Sequence, residues 1–281
     1  MNRTCRFLGV GLVCVALNVT ASFVFAHHVW LNATRYNVEE SGQSSFGGKT
    51  TVYFGWGDFY PVHDFLRPGQ LKRLSLKTPS GETQELKPGE GGFQATTIQV
   101  PEKGRCLVAA ELNSTYVADI MEDAKFRVAL KPKDELPKDA KIIESKFGLQ
   151  FAKAIINVGE IDPKDRAVST PIGHDLEIIP FKNPIHLREG DYLPFKILFK
   201  GAPLRSPLAD PDIKATYLGF STGKGVFAWT GELDREGIVK LKIVRSGVWQ
   251  IHVVHSHEPP PEMAGKADKV EYKASITFEV P

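Results

Sequence analysis

Gly247-Val248-Trp249-Gln250-Ile251-His252-Val253-Val254-His255-Ser256-His257 is the stretch whose reading decides the fold. Trp249, Ile251 and Val253 recur at every second position, the period of a strand with one buried face. His255 and His257 continue that row, and His252 points to the other side. Working outward, Asp191 to Phe199 alternates in the same way, and Ile213 to Leu218, Gly225 to Thr230, Ile238 to Val244 and Tyr272 to Val280 complete the set of strands. Turn chemistry separates them, for example Lys200-Gly201-Ala202-Pro203 and Leu233-Asp234-Arg235-Glu236-Gly237. This half reads as a compact Ig-like or transthyretin-like β-sandwich.

The first half carries the same signals. Val29 to Thr34, Lys49 to Phe54, Leu71 to Leu76, Thr83 to Leu86, Phe93 to Val100 and Arg105 to Leu112 are short β-branched or apolar runs between Gly- and Pro-rich turns. Leu130 to Lys141, dense in charge and proline, reads as a solvated loop. Over 144–157 the spacing of Phe147, Phe151 and Ile155 predicts a short helix running into a strand. The expected fold is therefore mainly β: two β-sandwiches, an N-terminal β-rich unit over 27–183 and a C-terminal one over 184–281.

Residues 1–26 have the three parts of a secretory signal: Arg3 and Arg6, an apolar run from Phe7 to Val19, and a tail ending Val24-Phe25-Ala26. A signal peptide cut after Ala26 implies export to the periplasm and a soluble mature chain. The whole chain has 35 Lys and Arg against 33 Asp and Glu, and the segment 1–26 holds two of the arginines and no carboxylate. The balance that remains gives no reason to expect a nucleic-acid partner. Cys106 is the only cysteine after residue 26, so no internal disulfide is expected in the exported form. No P-loop, dinucleotide fingerprint or nucleophile elbow occurs, and no enzymatic activity is expected.

Of the eight histidines, five fall in two groups: His27 with His28, and His252, His255 and His257. After cleavage, the α-amine and imidazole of His27 can chelate one ion together, a geometry suited to copper or nickel. His255 and His257, about 7 Å apart at their α-carbons on one strand face, can share an ion, or can simply decorate the strand end. A third region, Gly55-Trp56-Gly57-Asp58-Phe59-Tyr60-Pro61-Val62-His63-Asp64, is a constrained loop that offers His63, with Asp64 able to orient an imidazole. The metal candidates are His27, His28, His63, Asp64, His252, His255 and His257. His174 and His186 stand alone and read as structural or exposed.

Ala26-His27-x-x-Trp30-Leu31, Gly55-Trp56-Gly57 with Pro61, the segment Phe151 to Gly159, Gly201-x-Pro203-Leu204, Gly247-x-Trp249 and Ala274-x-Ile276-x-Phe278 occur in an order that resembles a bacterial family. It is the domain-of-unknown-function family described as a nickel-uptake substrate-specific periplasmic domain. The resemblance implies a two-domain periplasmic accessory protein that captures Ni²⁺ or Co²⁺ and passes it to an energy-coupling-factor type nickel/cobalt membrane transporter. It carries a ligand role onto His27. The chain departs from the family at Asp58, where histidine is common, and at His63, where a carboxylate is common. Three alternatives stand beside this reading: a periplasmic Cu²⁺-binding protein, a copper monooxygenase with an N-terminal histidine brace, and an Ig-like adhesion or carbohydrate-binding module.

Overall fold

The computed structural model describes residues 27–43, 47–100, 102–165 and 167–281. The expected signal peptide, 1–26, lies outside the described residues. In chain order the strands are β1 (His28–Ala33), β2 (Asn37–Val38), β3 (Lys49–Gly57), β4 (Leu71–Lys77), β5 (Thr83–Glu85) and β6 (Thr96–Gln99). They continue with β7 (Gly104–Leu112), β8 (Thr115–Glu122), β9 (Lys125–Ala129), β10 (Lys141–Val158), β11 (Leu176–Pro180) and β12 (Tyr192–Phe199). The last are β13 (Ala202–Pro203), β14 (Asp212–Tyr217), β15 (Trp229–Gly231), β16 (Ile238–Lys242), β17 (Gly247–His257) and β18 (Lys269–Val280). Helical structure among the described residues is limited to three-residue 3₁₀ turns. No described helix is long and apolar enough to cross a membrane. The mainly β expectation is borne out.

β10 is the spine. It pairs in turn with β8 (antiparallel), β18 (parallel), β7 (antiparallel) and β2 (parallel), and so joins both halves of the chain into one eleven-stranded sheet. This corrects the helix expected over 144–157. Phe147, Phe151 and Ile155 are spaced by four, a multiple of the strand period as well as close to a helical turn, so they share a face in either conformation. Both faces of β10 are buried beyond Gln150, which erases the alternation that would have identified a strand.

Two cores lie on opposite faces of this sheet. Phe151 and Ile155 join Trp249, Ile251, Val253, Ile276 and Phe278 against Ile178, Phe195, Ile197 and Leu241 of the four-stranded sheet built from β11, β12, β13 and β16. Ala152, Ala154, Ile156 and Val158 join Leu74, Leu76 and Val108 against Val29, Leu31, Val52, Phe54 and Ile98 of the three-stranded sheet β1-β3-β6. Each is a β-sandwich, and the large sheet is common to both. The expected division at 183/184 falls in the turn between the paired strands β11 and β12. A hairpin absent from the sequence reading, β8–β9, turns at Asp123 and Ala124, both with positive φ.

β1 crosses the second face of the large sheet rather than joining its ladder. Ser275 Oγ donates to Val29 O at 2.7 Å and Thr277 Oγ1 to Leu31 O at 2.5 Å. Gln150 Nε2 donates to His27 O, and Gln150 Oε1 accepts from Val29 N. Where β1 ends, the sheet face beneath changes from apolar to charged: Lys146, Glu271 and Lys273 are all buried there. His27 stands at that border.

Candidate metal centre

The loop after β3 is folded back by contacts that need two glycines at the end of that strand. A Cβ at Gly55 would lie 2.0 Å from Trp30 Nε1, and one at Gly57, whose φ is +136°, would lie 2.5 Å from the His63 ring. Trp30 Nε1 and Asn32 Nδ2 both donate to Pro61 O, at 2.6 and 3.0 Å, and Asp64 N donates to Trp56 O. The result brings His63 and Asp58 up to His27 on the neighbouring strand.

Asp58 is the centre of the group. Its Oδ2 lies 3.7 Å from His27 Nε2, 3.8 Å from His63 Nδ1 and 3.8 Å from Lys224 Nζ. The side chain is only 5% exposed, and its Oδ1 is buried without a hydrogen-bond partner. An ionised carboxylate in that position is costly unless a cation or donor reaches it. The two imidazole nitrogens and the carboxylate oxygen lie within 4.8 Å of one another. Ligands bonded to one ion at about 2.0–2.2 Å stand roughly 3 to 3.5 Å apart, so small side-chain shifts would close the set. Phe59 stacks on His63 and Trp56 meets His27 edge-on, which fixes both rings. Burial lowers the His27 pKa, opposed chiefly by the charge of Asp58, and favours the neutral, ligating imidazole. Asp58 N donates to His63 Nδ1 at 3.1 Å, a bond that an ion at this nitrogen would replace.

The structure therefore brings together two of the expected ligands, His27 and His63. Asp64 is exposed, caps Phe65 N with its Oδ1, and lines the cleft beside the group without joining it. His28 and His252 meet elsewhere, with ring centroids 3.8 Å apart; His252 is buried and His28 half-buried, and His28 Nδ1 and both nitrogens of His252 lack partners. His255 and His257 lie on the opposite face of β17, packed on Phe199 and Tyr272 with 6.4 Å between their centroids. His174 is buried against Phe151. Asp58 was legible only as a loop carboxylate, because its burial is created by Lys224 and His27 arriving from distant parts of the chain.

The group opens onto a cleft of about 1080 Å³. Its charged lining is balanced, Asp58, Asp64, Asp119 and Glu271 against Arg67, Lys146, Lys224 and Lys273. Glu271 pairs with Lys273 at 3.1 Å and Lys146 at 3.6 Å. Burial lowers Lys273 to about 8, and the neighbouring cations hold Glu271 below the usual carboxylate range against the effect of its burial.

Fold and site together define a β-sandwich protein carrying a two-histidine, one-carboxylate cluster. The family profile of the Domain of unknown function (DUF4198) matches residues 24–257, and the chain belongs to that family. No curated protein matches it. Among solved structures it is similar to the D0–D1 domain of intimin, at 13% identity and a TM-score of 0.22, with 89% of this chain and 97% of that one covered. It is also similar to a tetra-tandem repeat in the extending region of a large adhesion protein, at 10% identity and a TM-score of 0.21, covering 90% of this chain and 50% of that one. The native alpha-2-macroglobulin of E. coli gives 10% identity and a TM-score of 0.21, over 92% of this chain and 14% of that one. The chain thus spans half of the adhesion-protein repeat and a small part of the macroglobulin. Overlap at this level carries no functional argument.

Proposed function

We propose that this protein binds one divalent transition-metal ion through His27, Asp58 and His63, and serves as a periplasmic carrier that passes Ni²⁺ or Co²⁺ to a nickel/cobalt membrane transporter of the energy-coupling-factor type. The observation that carries the binding reading is Asp58: a buried carboxylate with one oxygen unpartnered and the other facing two imidazoles and one lysine. Two neutral imidazoles and one carboxylate suit a borderline divalent ion. The choice of nickel or cobalt, the transporter and the compartment come from the family resemblance. The work is capture and release, with no catalytic step: acid protonates the imidazoles and frees the ion. Lys224, 61% exposed at its side chain, can swing away from Asp58 as the ion arrives and return as it leaves.

Calorimetry with Ni²⁺, Co²⁺ and Cu²⁺ on the purified protein tests this. One equivalent should bind, and His63→Ala should weaken binding by at least about 100-fold, the loss of one ligand exceeding the 10–100-fold typical of supporting groups. Unchanged affinity would remove the triad. A form beginning at His27, compared with one carrying an extra residue before it, separates the triad, which presents His27 Nε2 to Asp58, from a chelate through the α-amine and Nδ1: the triad predicts equal affinity for both forms. Cu²⁺ is expected to bind more tightly than Ni²⁺ to any such site, so the cargo is decided by the metal content of protein isolated from cells. Oxygen consumption with Cu²⁺ and a reductant would overturn the carrier reading in favour of catalysis.

A further inference from the structure

The cleft beside the triad is far larger than an ion needs. A water molecule takes about 30 Å³, whereas the cleft of about 1080 Å³ is of the size that holds an organic ligand, on the order of 300–1,000 Å³. Its walls are unusual for a surface built only to admit hydrated cations. Phe126, Val128 and Leu130, two apart on one face of the β9 end of the hairpin, are 46%, 54% and 62% exposed and line this cleft, while Arg127 between them turns away to pair with Glu122. An apolar row left facing water beside fixed polar groups marks a binding surface.

Charge and coordination then specify the occupant. Four carboxylates balance four cations in the lining, so a bound divalent ion leaves the cleft with two uncompensated positive charges. The triad supplies three donors, which leaves three positions open on an ion that takes six. Asp58 turns Oδ2 toward both imidazoles and Lys224 and keeps Oδ1 buried without a hydrogen-bond partner, so its charge is only partly offset by the protein. We propose that the ion is held as a ternary complex with a small dianionic organic chelator, whose donor atoms fill the open positions and whose apolar part lies against Phe126, Val128 and Leu130. The inference rests on the metal-binding reading above and names the form in which the cargo is taken.

Pyridine-2,6-dicarboxylate is a suitable probe: it is dianionic, planar, apolar on both faces and tridentate. Equilibrium dialysis of the whole protein against Ni²⁺ alone, the probe alone, and the two at equal concentration separates the cases. One equivalent of probe should be retained with the protein only when Ni²⁺ is present. A Phe126→Asp, Val128→Asp variant, altered on an exposed hairpin, should lose about tenfold or more in affinity for the complex while binding Ni²⁺ alone as before. If the probe strips Ni²⁺ from the protein and is not itself retained, the ternary complex is overturned and simple ion binding stands. If neither Ni²⁺ nor its complex binds, the carrier reading fails as well. An equal loss of both affinities in the variant would also overturn the proposal, since the apolar row would then contribute nothing specific to the chelator.

Discussion

Asp58 receives its importance from three neighbours, and each can be removed separately. Asp58→Asn keeps the shape of the side chain and removes the charge, so Ni²⁺ affinity should fall by at least about 100-fold in calorimetry with little change in thermal stability. Lys224→Gln removes the cation that competes for Oδ2 at 3.8 Å, and should raise affinity a few-fold; a fall would show that Lys224 organises the site instead of competing for it. His252 and His174 make a different prediction. Burial pulls both pKa values down from 6.5 to about 3, so between those values the unfolded chain binds more protons than the folded one. Stability is then fully present above pH 6.5 and is lost as pH falls through the window, at about 1.4 kcal/mol per pH unit for each histidine. In a His252→Gln variant the difference in unfolding free energy from the parent should shrink with that slope below pH 6.5. A pH-independent difference would mean that His252 is not buried neutral.

At the scale of the element, β1 positions the site and β18 holds β1. Thr277 and Ser275 reach across from β18 to carbonyls of β1, side-chain bonds that lie outside the strand ladders. Thr277→Val should cost about 1–3 kcal/mol, the price of a buried acceptor left unmet, and should weaken Ni²⁺ binding because His27 loses its anchorage. Chemical denaturation and calorimetry on the same variant check the two effects together. β10 holds a buried ion pair of its own: Lys153 Nζ donates to Glu177 Oε1 and to Ile178 O, both at 2.8 Å, while Glu177 also accepts from Ile172 N and Gly173 N. Lys153→Ala strands Glu177 in the core and should cost about 3–5 kcal/mol, whereas the double change Lys153→Met, Glu177→Leu should recover most of it. The helix expected over this strand failed for a reason visible in the same residues, since Phe151 and Ile155 serve one core and Ala152, Ala154 and Ile156 the other. A strand buried on both faces has no alternation to read.

The whole molecule is two sandwiches on one sheet, with β10 and β18 in contact along nine residue pairs. Loss of either core exposes one face of the same strands. Thermal unfolding should therefore show a single transition, followed identically by tryptophan fluorescence and far-ultraviolet circular dichroism. Two separated transitions would instead support independent units on either side of 183/184. Cys106 gives a chemical check on the same cooperativity: it is wholly buried and its thiol is pushed up to about 12 by burial, so a thiol reagent should modify it only as fast as the protein opens.

The sequence by itself determined the class of fold, because period-two alternation and Gly/Pro punctuation follow from strand geometry and turn sterics, which are local. It also determined that imidazoles cluster near residue 27 and near residue 255, and that the stretch from Gly55 to Asp64 is a constrained loop. Which histidines meet was decided only by tertiary structure. His28 turns to His252, His27 to His63, and His255 to His257, since the strand pleat sends adjacent residues to opposite faces and the crossing of β1 over β18 sets what each face encounters. Asp58 became the centre of the candidate site for the same reason. Of its three neighbours only His63 is local; His27 comes from an earlier strand end and Lys224 from the far half of the chain, and no local pattern records where such segments are packed together.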